Sequence, residues 1–234
     1  MTNTRNDGRL NNQIRAFESE QSLLNKADGS ARFTQNKSSV LAAVYGPIEV
    51  KNSRKQKILK SLIEVSFTPS VGNTTYLDKE KELLIKNALE SIILTTLHPR
   101  TQISIIFQVF SDDGSIISCA INAACLALLD AGIEMQGLIG SVTLCYNHDK
   151  SIYLDPTAQE EKECKSLSVI AYGSQSSQII MNKTEGTLSM DLYFKSLPLS
   201  KEACDKVISY IKLAVKNRIM GTISTNTTST TIES

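Results

Sequence analysis

Two groups of carboxylates are spaced so that they could do chemistry. Asp112 and Asp113 are adjacent, and Asp155 is followed by Glu160 and Glu161. Paired acids can act as general acid and base, or can hold a divalent cation. Each group also has a plainer reading. Asp112 and Asp113 precede Gly114 and a long apolar run, where a carboxylate caps a helix by accepting its free N–H groups. Asp155-Pro156-Thr157 opens a turn, so Glu160 and Glu161 read as the solvated first turn of a short helix. The histidines, His98 and His148, have no serine or cysteine nucleophile pattern beside them and are expected at the surface. Four cations remain. Arg54, Lys55 and Lys57 lie in a basic loop, and Arg100 stands before an apolar strand, where it serves either as an ion-pair partner or as a contact for a polyanion.

Composition narrows the choice. The chain has 234 residues, 41% of them hydrophobic, enough to bury a substantial core. Its 25 Lys and Arg against 24 Asp and Glu leave a net charge of +1, too balanced to hold nucleic acid by bulk electrostatics. Any such contact has to be local or shared with other chains. The five cysteines show no C-x-x-C pair and no metal-ligand spacing, so reduced structural thiols are expected, with neither metal nor cofactor. The polar start, MTNTRNDGRLNNQ, has no apolar run of the kind a signal peptide needs, and no stretch approaches the ~20 apolar residues of a membrane span. The sequons at Asn36, Asn73, Asn182 and Asn226 then read as chance.

The elements that must position these residues alternate without a strict βαβ rhythm, which favours mixed sheets in an α+β or mixed α/β fold. Residues 31–36 and 38–45 read as a hairpin ending at Gly46-Pro47, and 62–67 as a half-buried strand. Asp78 reads as the N-cap of a helix over 79–97 that Pro99 stops. Residues 102–110 form a near-continuous apolar run, hence a central strand. A helix apolar nearly all round, with Ile117, Ala120, Ile121, Ala124 and Leu128, follows from Asp112 or Asp113 to Asp130, and Gly132 ends it. Short strands are expected over 141–146, 151–154, 166–172 and 178–182. Ser200 reads as the cap of a final amphipathic helix. A single domain over 1–220 is expected, its first dozen residues flexible, followed by a disordered Thr/Ser-rich tail over 221–234.

Several tags in fixed order resemble the RNase PH family. They are Arg5-Asn6-Asp7-Gly8-Arg9, Asp28-Gly29-Ser30-Ala31, Tyr45-Gly46-Pro47, the run from Asp113 to Ile133 ending in DAGI, and Leu154-Asp155-Pro156-Thr157. With Leu97-His98-Pro99-Arg100-Thr101 and the Cys119–Cys125 stretch, the likeness is to the diverged RNase PH-like ring subunits of the eukaryotic RNA exosome. The resemblance implies an RNase PH fold of two pseudo-repeated β-α-β-α halves, six such domains closing into a ring, and RNA threaded through the central channel. Its implied partners are other RNase PH-like ring subunits, S1/KH cap subunits and associated catalytic exoribonucleases. It also implies a role in rRNA processing and mRNA decay in the nucleus, nucleolus and cytoplasm.

Active members of the family attack the 3′-terminal phosphodiester with inorganic phosphate, which requires cations and helix amides to converge on phosphate. Where they carry Gly-Thr-Arg, this chain has Ser115-Ile116-Ile117. The resemblance places Asn87 at a second phosphate-binding arginine and Ser166 at one active-site acid; Glu160 or Glu161 stands near the other. A non-catalytic ring subunit is therefore expected, against the alternative of an active phosphate-dependent 3′-to-5′ exoribonuclease. In such a ring Arg54, Lys55, Lys57 and Arg100 become the candidates for RNA contact.

Overall fold

The computed structural model describes residues 5, 7–50, 53–147, 149, 151–175 and 178–229. Two sheets enclose one helix. The first sheet has the order β1-β2-β3-β5-β4, built from β1 (Phe17–Gln21), β2 (Gly29–Gln35), β3 (Ser38–Glu49), β4 (Leu62–Thr68) and β5 (Thr101–Ser111). β4 and β5 are parallel and the other pairs antiparallel, so the sheet is mixed. The second sheet is antiparallel, with the order β7-β6-β8-β9, from β6 (Ile139–Tyr146), β7 (Ile152–Leu154), β8 (Ser166–Gly173) and β9 (Ile179–Gly186). α1 (Tyr76–Glu90) lies against β4, α3 (Ala158–Glu163) links β7 to β8, and α4 (Met190–Ser229) covers the second sheet.

The enclosed helix is α2 (Ile116–Asp130), and every residue from Ser118 to Leu128 is buried. Alanines, cysteines and Ser118 keep its surface thin enough for a sheet on each side. Cys119 Sγ donates to Phe33 O (3.3 Å) in the first sheet. Facing the second, Ser118 Oγ meets Thr143 Oγ1 at 2.7 Å, and the Asn122 amide both donates to Ser141 O (3.1 Å) and accepts from Ser141 N (2.9 Å). These bonds satisfy polar groups whose burial would otherwise be costly. Gly29 lies against the last turn of α2, where a Cβ would stand 2.3 Å from Ala131 N. A continuous apolar core joins both sheets, with Ile121, Leu126 and Leu128 fully buried and each contributing about 1.5–3 kcal/mol.

The mixed-sheet expectation holds, and the strand pattern is close to that expected. Several boundaries differ for local reasons. β1 was not anticipated. β3 continues through a register shift between Tyr45 and Ile48 to Glu49, with Gly46-Pro47 in cis. α1 begins at Tyr76, and Asp78 is its third residue rather than its cap: Asp78 Oδ2 accepts from Thr75 N (2.9 Å) and Thr75 Oγ1 (2.8 Å), closing a capping box. The helix ends at Glu90, and turns fill the approach to β5. α4 starts at Met190, ahead of Ser200; Pro198 sits inside it, and the buried Ser200 hydroxyl donates to Leu197 O (2.8 Å). Val207, Ile208 and Ile211 are buried while Lys206, Lys212 and Lys216 are exposed. The helical backbone runs on across 221–229, where a disordered tail was expected, and 230–234 lie outside the described residues.

Candidate functional site

β5 delivers the chain to Asp112, and α2 starts four residues later, so the N-terminus of the buried helix opens at the C-terminal end of a central strand. Asp112 Oδ1 accepts from Gly114 N (3.1 Å), which makes it part of the turn rather than the helix cap. The N-cap is Ser115, in the left-handed region at φ 58°. A cleft of about 250 Å³ lies over this helix end. The first turns of α1 line it with Leu77, Glu80 and Lys81; Ile116, Ile117 and Thr143 form its floor; Leu167, Val169, Lys183 and Glu185 close the far side. Asp112, Ser115 and Glu161 complete it.

The turn ahead of α3 is fastened to the turn ahead of α2 by Arg15, a residue with no local signal in the sequence. Its Nη2 donates to Asp155 Oδ1 (2.6 Å) and its Nε to Asp155 Oδ2 (2.9 Å). Nη1 donates to Asp113 O (2.9 Å) and Nη2 to Gly114 O (3.3 Å). Burial by itself would lower the Arg15 pKa, but the hydrogen-bonded Asp155 carboxylate more than offsets it and holds the guanidinium charged. The two turns touch so closely that a Cβ on Gly114, at φ +84°, would lie 2.8 Å from Pro156 O. That contact explains why Gly stands between Asp113 and Ser115.

The acids after Asp155 are therefore not a solvated turn. Asp155 is 1% exposed. Glu160 Oε2 accepts from Thr157 N (2.9 Å) in a second capping box, and Glu160 also faces Arg5 (3.7 Å) and Arg9 (3.9 Å). Arg5 lies over the Tyr153 ring of β7, 4.8 Å from its centroid, so Arg5 sits between β7 and Glu160 of α3. Glu161 reaches across, and its Oε1 accepts the backbone N–H of Ser115 at 2.7 Å. Burial pushes its pKa up, and Asp112 and Asp155 act in the same direction against the Ser115 bond and Arg15. Both lysines of the cleft are paired as well. Lys183 Nζ contacts Glu185 (2.6 Å) and Glu80 (2.9 Å), and Lys81 Nζ contacts Asp78 (3.2 Å).

The residues expected to mark lost chemistry divide in two. Ser115, Ile116 and Ile117 lie at the helix end as expected, with Ile117 in the cleft. Asn87 does not line the cleft; it is exposed, about 10 Å along α1 from Glu80 and Lys81, the α1 residues that do. Ser166 is buried outside the cleft, because strand alternation turns Leu167 and Val169 toward it. The Ser166 hydroxyl has no hydrogen-bond partner among the described residues.

The candidate RNA contacts lie elsewhere. Arg54, Lys55, Lys57 and Arg100 are all exposed around the start of β4 and β5. Lys55 pairs with Glu64 (2.9 Å) and Lys57 with Glu90 (2.7 Å); Arg100 adopts φ 63° and has no ion pair among the described residues. The 11-residue β5 separates this end of the sheet from the cleft by roughly 35 Å. His98 faces Glu134 at 3.4 Å, and His148 lies outside the described residues. Among the described residues no group of His, Cys, Asp and Glu is placed to hold a metal, and no helix is long and apolar enough to cross a membrane. All five cysteines are free; burial pushes the Cys119 and Cys204 thiols up to about 12 and Cys125 to about 11.

A helix held between a mixed and an antiparallel sheet, with a cleft over its N-terminus, defines the RNase PH fold. The chain belongs to the 3′ exoribonuclease family: residues 13–134 match its domain 1 and residues 137–203 its domain 2. It is 35% identical over 225 residues to the exosome complex exonuclease RRP46 homolog of Arabidopsis thaliana, covering 89% of this chain and 94% of that one. It is 32% identical over 215 residues to the RRP41 homolog of the same plant, an exosome complex component, covering 88% and 89%. The crystal structure of rice (Oryza sativa) Rrp46 superposes with a TM-score of 0.84 at 36% identity, covering 89% of this chain and 98% of that one. The resemblance read from the motifs is thus borne out.

Proposed function

We propose that this chain is a non-catalytic subunit of the hexameric RNase PH-like ring of the RNA exosome, which assembles the ring and helps to guide RNA to associated nucleases. The observation that carries the reading is the state of the cleft. Phosphorolysis brings a phosphate beside an anionic RNA backbone and therefore needs cations free to receive it. Among the described residues no arginine lines the cleft, both of its lysines are held by carboxylates, and a glutamate takes the Ser115 amide. Exchanging a guanidinium for the alkyl group of Ile117 forfeits about 1.5–3 kcal/mol of charge-assisted bonding for each contact. The assembly half of the reading is supported by relatives named as exosome components over nearly their whole length.

The name of the Arabidopsis relative includes "exonuclease", which favours a second reading, an active phosphorolase. That reading needs a cation in the cleft that is free to take phosphate, and the pairing of Lys81 and Lys183 argues against it. On the first reading the partners are the other RNase PH-like subunits, S1/KH cap subunits and catalytic exoribonucleases, in the nucleus, nucleolus and cytoplasm. Arg54, Lys55, Lys57 and Arg100 form the RNA-facing patch, too far from the cleft to feed it within one chain. Reconstitution with candidate ring subunits tests this, with stoichiometric incorporation by size-exclusion chromatography and light scattering expected. A stable monomer that ignores those subunits would sink the reading.

A further inference from the structure

Cys119, Cys125 and Cys204 lie within α2 and α4 and are closed into the core, but the other two cysteines form a pair. Cys145 is the penultimate residue of β6, and Cys164 is the C-cap of α3. The backbone holds them side by side. Lys165 N donates to Tyr146 O (2.9 Å), so the residue that follows one cysteine is bonded to the residue that follows the other. Both side chains turn to the same place. Cys145 Sγ donates to Glu160 O (3.7 Å) and Cys164 Sγ to Glu161 O (3.1 Å), two consecutive carbonyls of α3. The two thiols are also hydrogen-bonded to one another. Cys145 is buried, whereas Cys164 is half-buried and open to solvent on one side. Burial raises the pKa of both; the hydrogen bond between them raises Cys145 further and lowers Cys164. Cys164 is therefore the sulfur that ionises first, with the Cys145 S–H donating to it.

We propose that Cys145 and Cys164 are a redox modification site, a dithiol that a small-molecule disulfide such as oxidised glutathione closes reversibly into a covalent link between β6 and α3. The Cys164 thiolate attacks one sulfur of the reagent, breaks its S–S bond and forms a mixed disulfide, releasing one glutathione thiolate. That thiolate takes up a proton. Cys145 then gives up its proton and attacks the Cys164 sulfur, and the second glutathione leaves with that proton. Two protein thiols are oxidised to one disulfide, and the reagent is reduced to two thiols. Little thiolate is present near neutral pH, so the first step is slow there; the second is fast because its partners are already in contact. The link replaces two S–H···O=C contacts and closes the chain from 145 to 164, which contains β7, the Asp155 turn and α3. Closing that loop restrains the unfolded chain and stabilises the fold. The proposal does not depend on whether the cleft over α2 binds phosphate.

The test incubates the folded full-length chain with oxidised glutathione at mildly alkaline pH, quenches it with acid and an alkylating agent, and maps the thiols by mass spectrometry. Wild type is expected to give a Cys145–Cys164 linked peptide that reduction removes, with no lasting glutathione adduct and a raised melting temperature. Its rate of formation should rise about tenfold for each pH unit, because only thiolate attacks. Cys145→Ser is expected to stop at a stable glutathione adduct on Cys164. Cys164→Ser is expected to form neither adduct nor link and to melt at the same temperature with and without the reagent. Its side chain is only half-buried, so it keeps the test decisive should the buried Cys145 variant fail to fold. Wild type with all five thiols free overturns the proposal, as does a link between any other pair. A lasting adduct on Cys164 of wild type, with Cys145 still free, overturns it as well.

Discussion

Arg15 and Asp155 meet as a buried two-point ion pair, Nη2 to Oδ1 at 2.6 Å and Nε to Oδ2 at 2.9 Å, although 140 residues separate them. The pair binds the segment ahead of β1 to the turn ahead of α3, and Asp113 O and Gly114 O bring in the start of α2. Removing one partner leaves the other charge buried and uncompensated. Asp155→Ala is expected to cost about 3–5 kcal/mol, measured by urea denaturation as a fall in midpoint. A loss under about 1 kcal/mol would show that water or a neighbour takes over the Arg15 charge.

Asp78 gives a smaller, pH-dependent effect. Bonds from the Thr75 N–H and hydroxyl, with Lys81 nearby, hold its pKa below 3.8 against the opposing effect of burial. A depressed carboxylate contributes stability above its unfolded value, and that contribution is lost as pH falls through the folded value. Asp78→Ala is expected to cost about 1 kcal/mol near neutrality. The difference from wild type should shrink below pH 3.8. A gap that stays constant down to strongly acid pH would mean that the loss is packing rather than the capping box.

Glu161 has the opposite sign. Burial first, then Asp112 and Asp155, raise its pKa above 4.5 despite the Ser115 bond and Arg15, so the folded chain holds this proton more tightly than the unfolded chain. Stability therefore falls as pH rises from 4.5 through the folded value, and the deficit persists above it. Glu161→Gln is expected to flatten that part of the stability profile and to leave the chain no less stable at neutral pH. Parallel profiles for the two proteins would contradict the raised pKa.

The basic patch makes a prediction for the assembled ring. Lys55 and Lys57 are exposed, and each is paired with a surface glutamate, which holds an exposed lysine only weakly. Changing Arg54, Lys55 and Lys57 to Ala is expected to weaken RNA binding by the ring. The slope of log affinity against log salt should flatten by up to about 0.7 for each lost phosphate contact. An unchanged slope would assign these side chains to the solvated surface.

Much of this structure was legible in the sequence, and what was missed has a common cause. α2 stood out because it is apolar all round and is followed by Gly132, and β5 because its apolar run reads as a central strand, although Ile106 and Phe110 on it are exposed. β1 was invisible because Phe17-Glu18-Ser19-Glu20-Gln21 is short and charged, and only its pairing with β2 makes it a strand. The start of α4 was hidden by Pro198, which normally breaks a helix but here lies inside one that begins at Met190. Arg15 looked like any surface arginine, since its partners lie about 100 to 140 residues away. Glu161 was visible as an acid near the site. Its bond to Ser115 was not, because it depends on how two distant turns meet. Of the residues singled out from the family pattern, Ser115, Ile116 and Ile117 lie at the cleft, whereas Asn87 lies exposed on α1 away from it.

The most direct test of a silent cleft is product analysis. The purified chain is incubated with 3′-labelled RNA, with and without inorganic phosphate, and the products are separated by thin-layer chromatography. No nucleoside diphosphate is expected at any phosphate concentration. Phosphate-dependent diphosphate release that disappears in Glu161→Ala would contradict it.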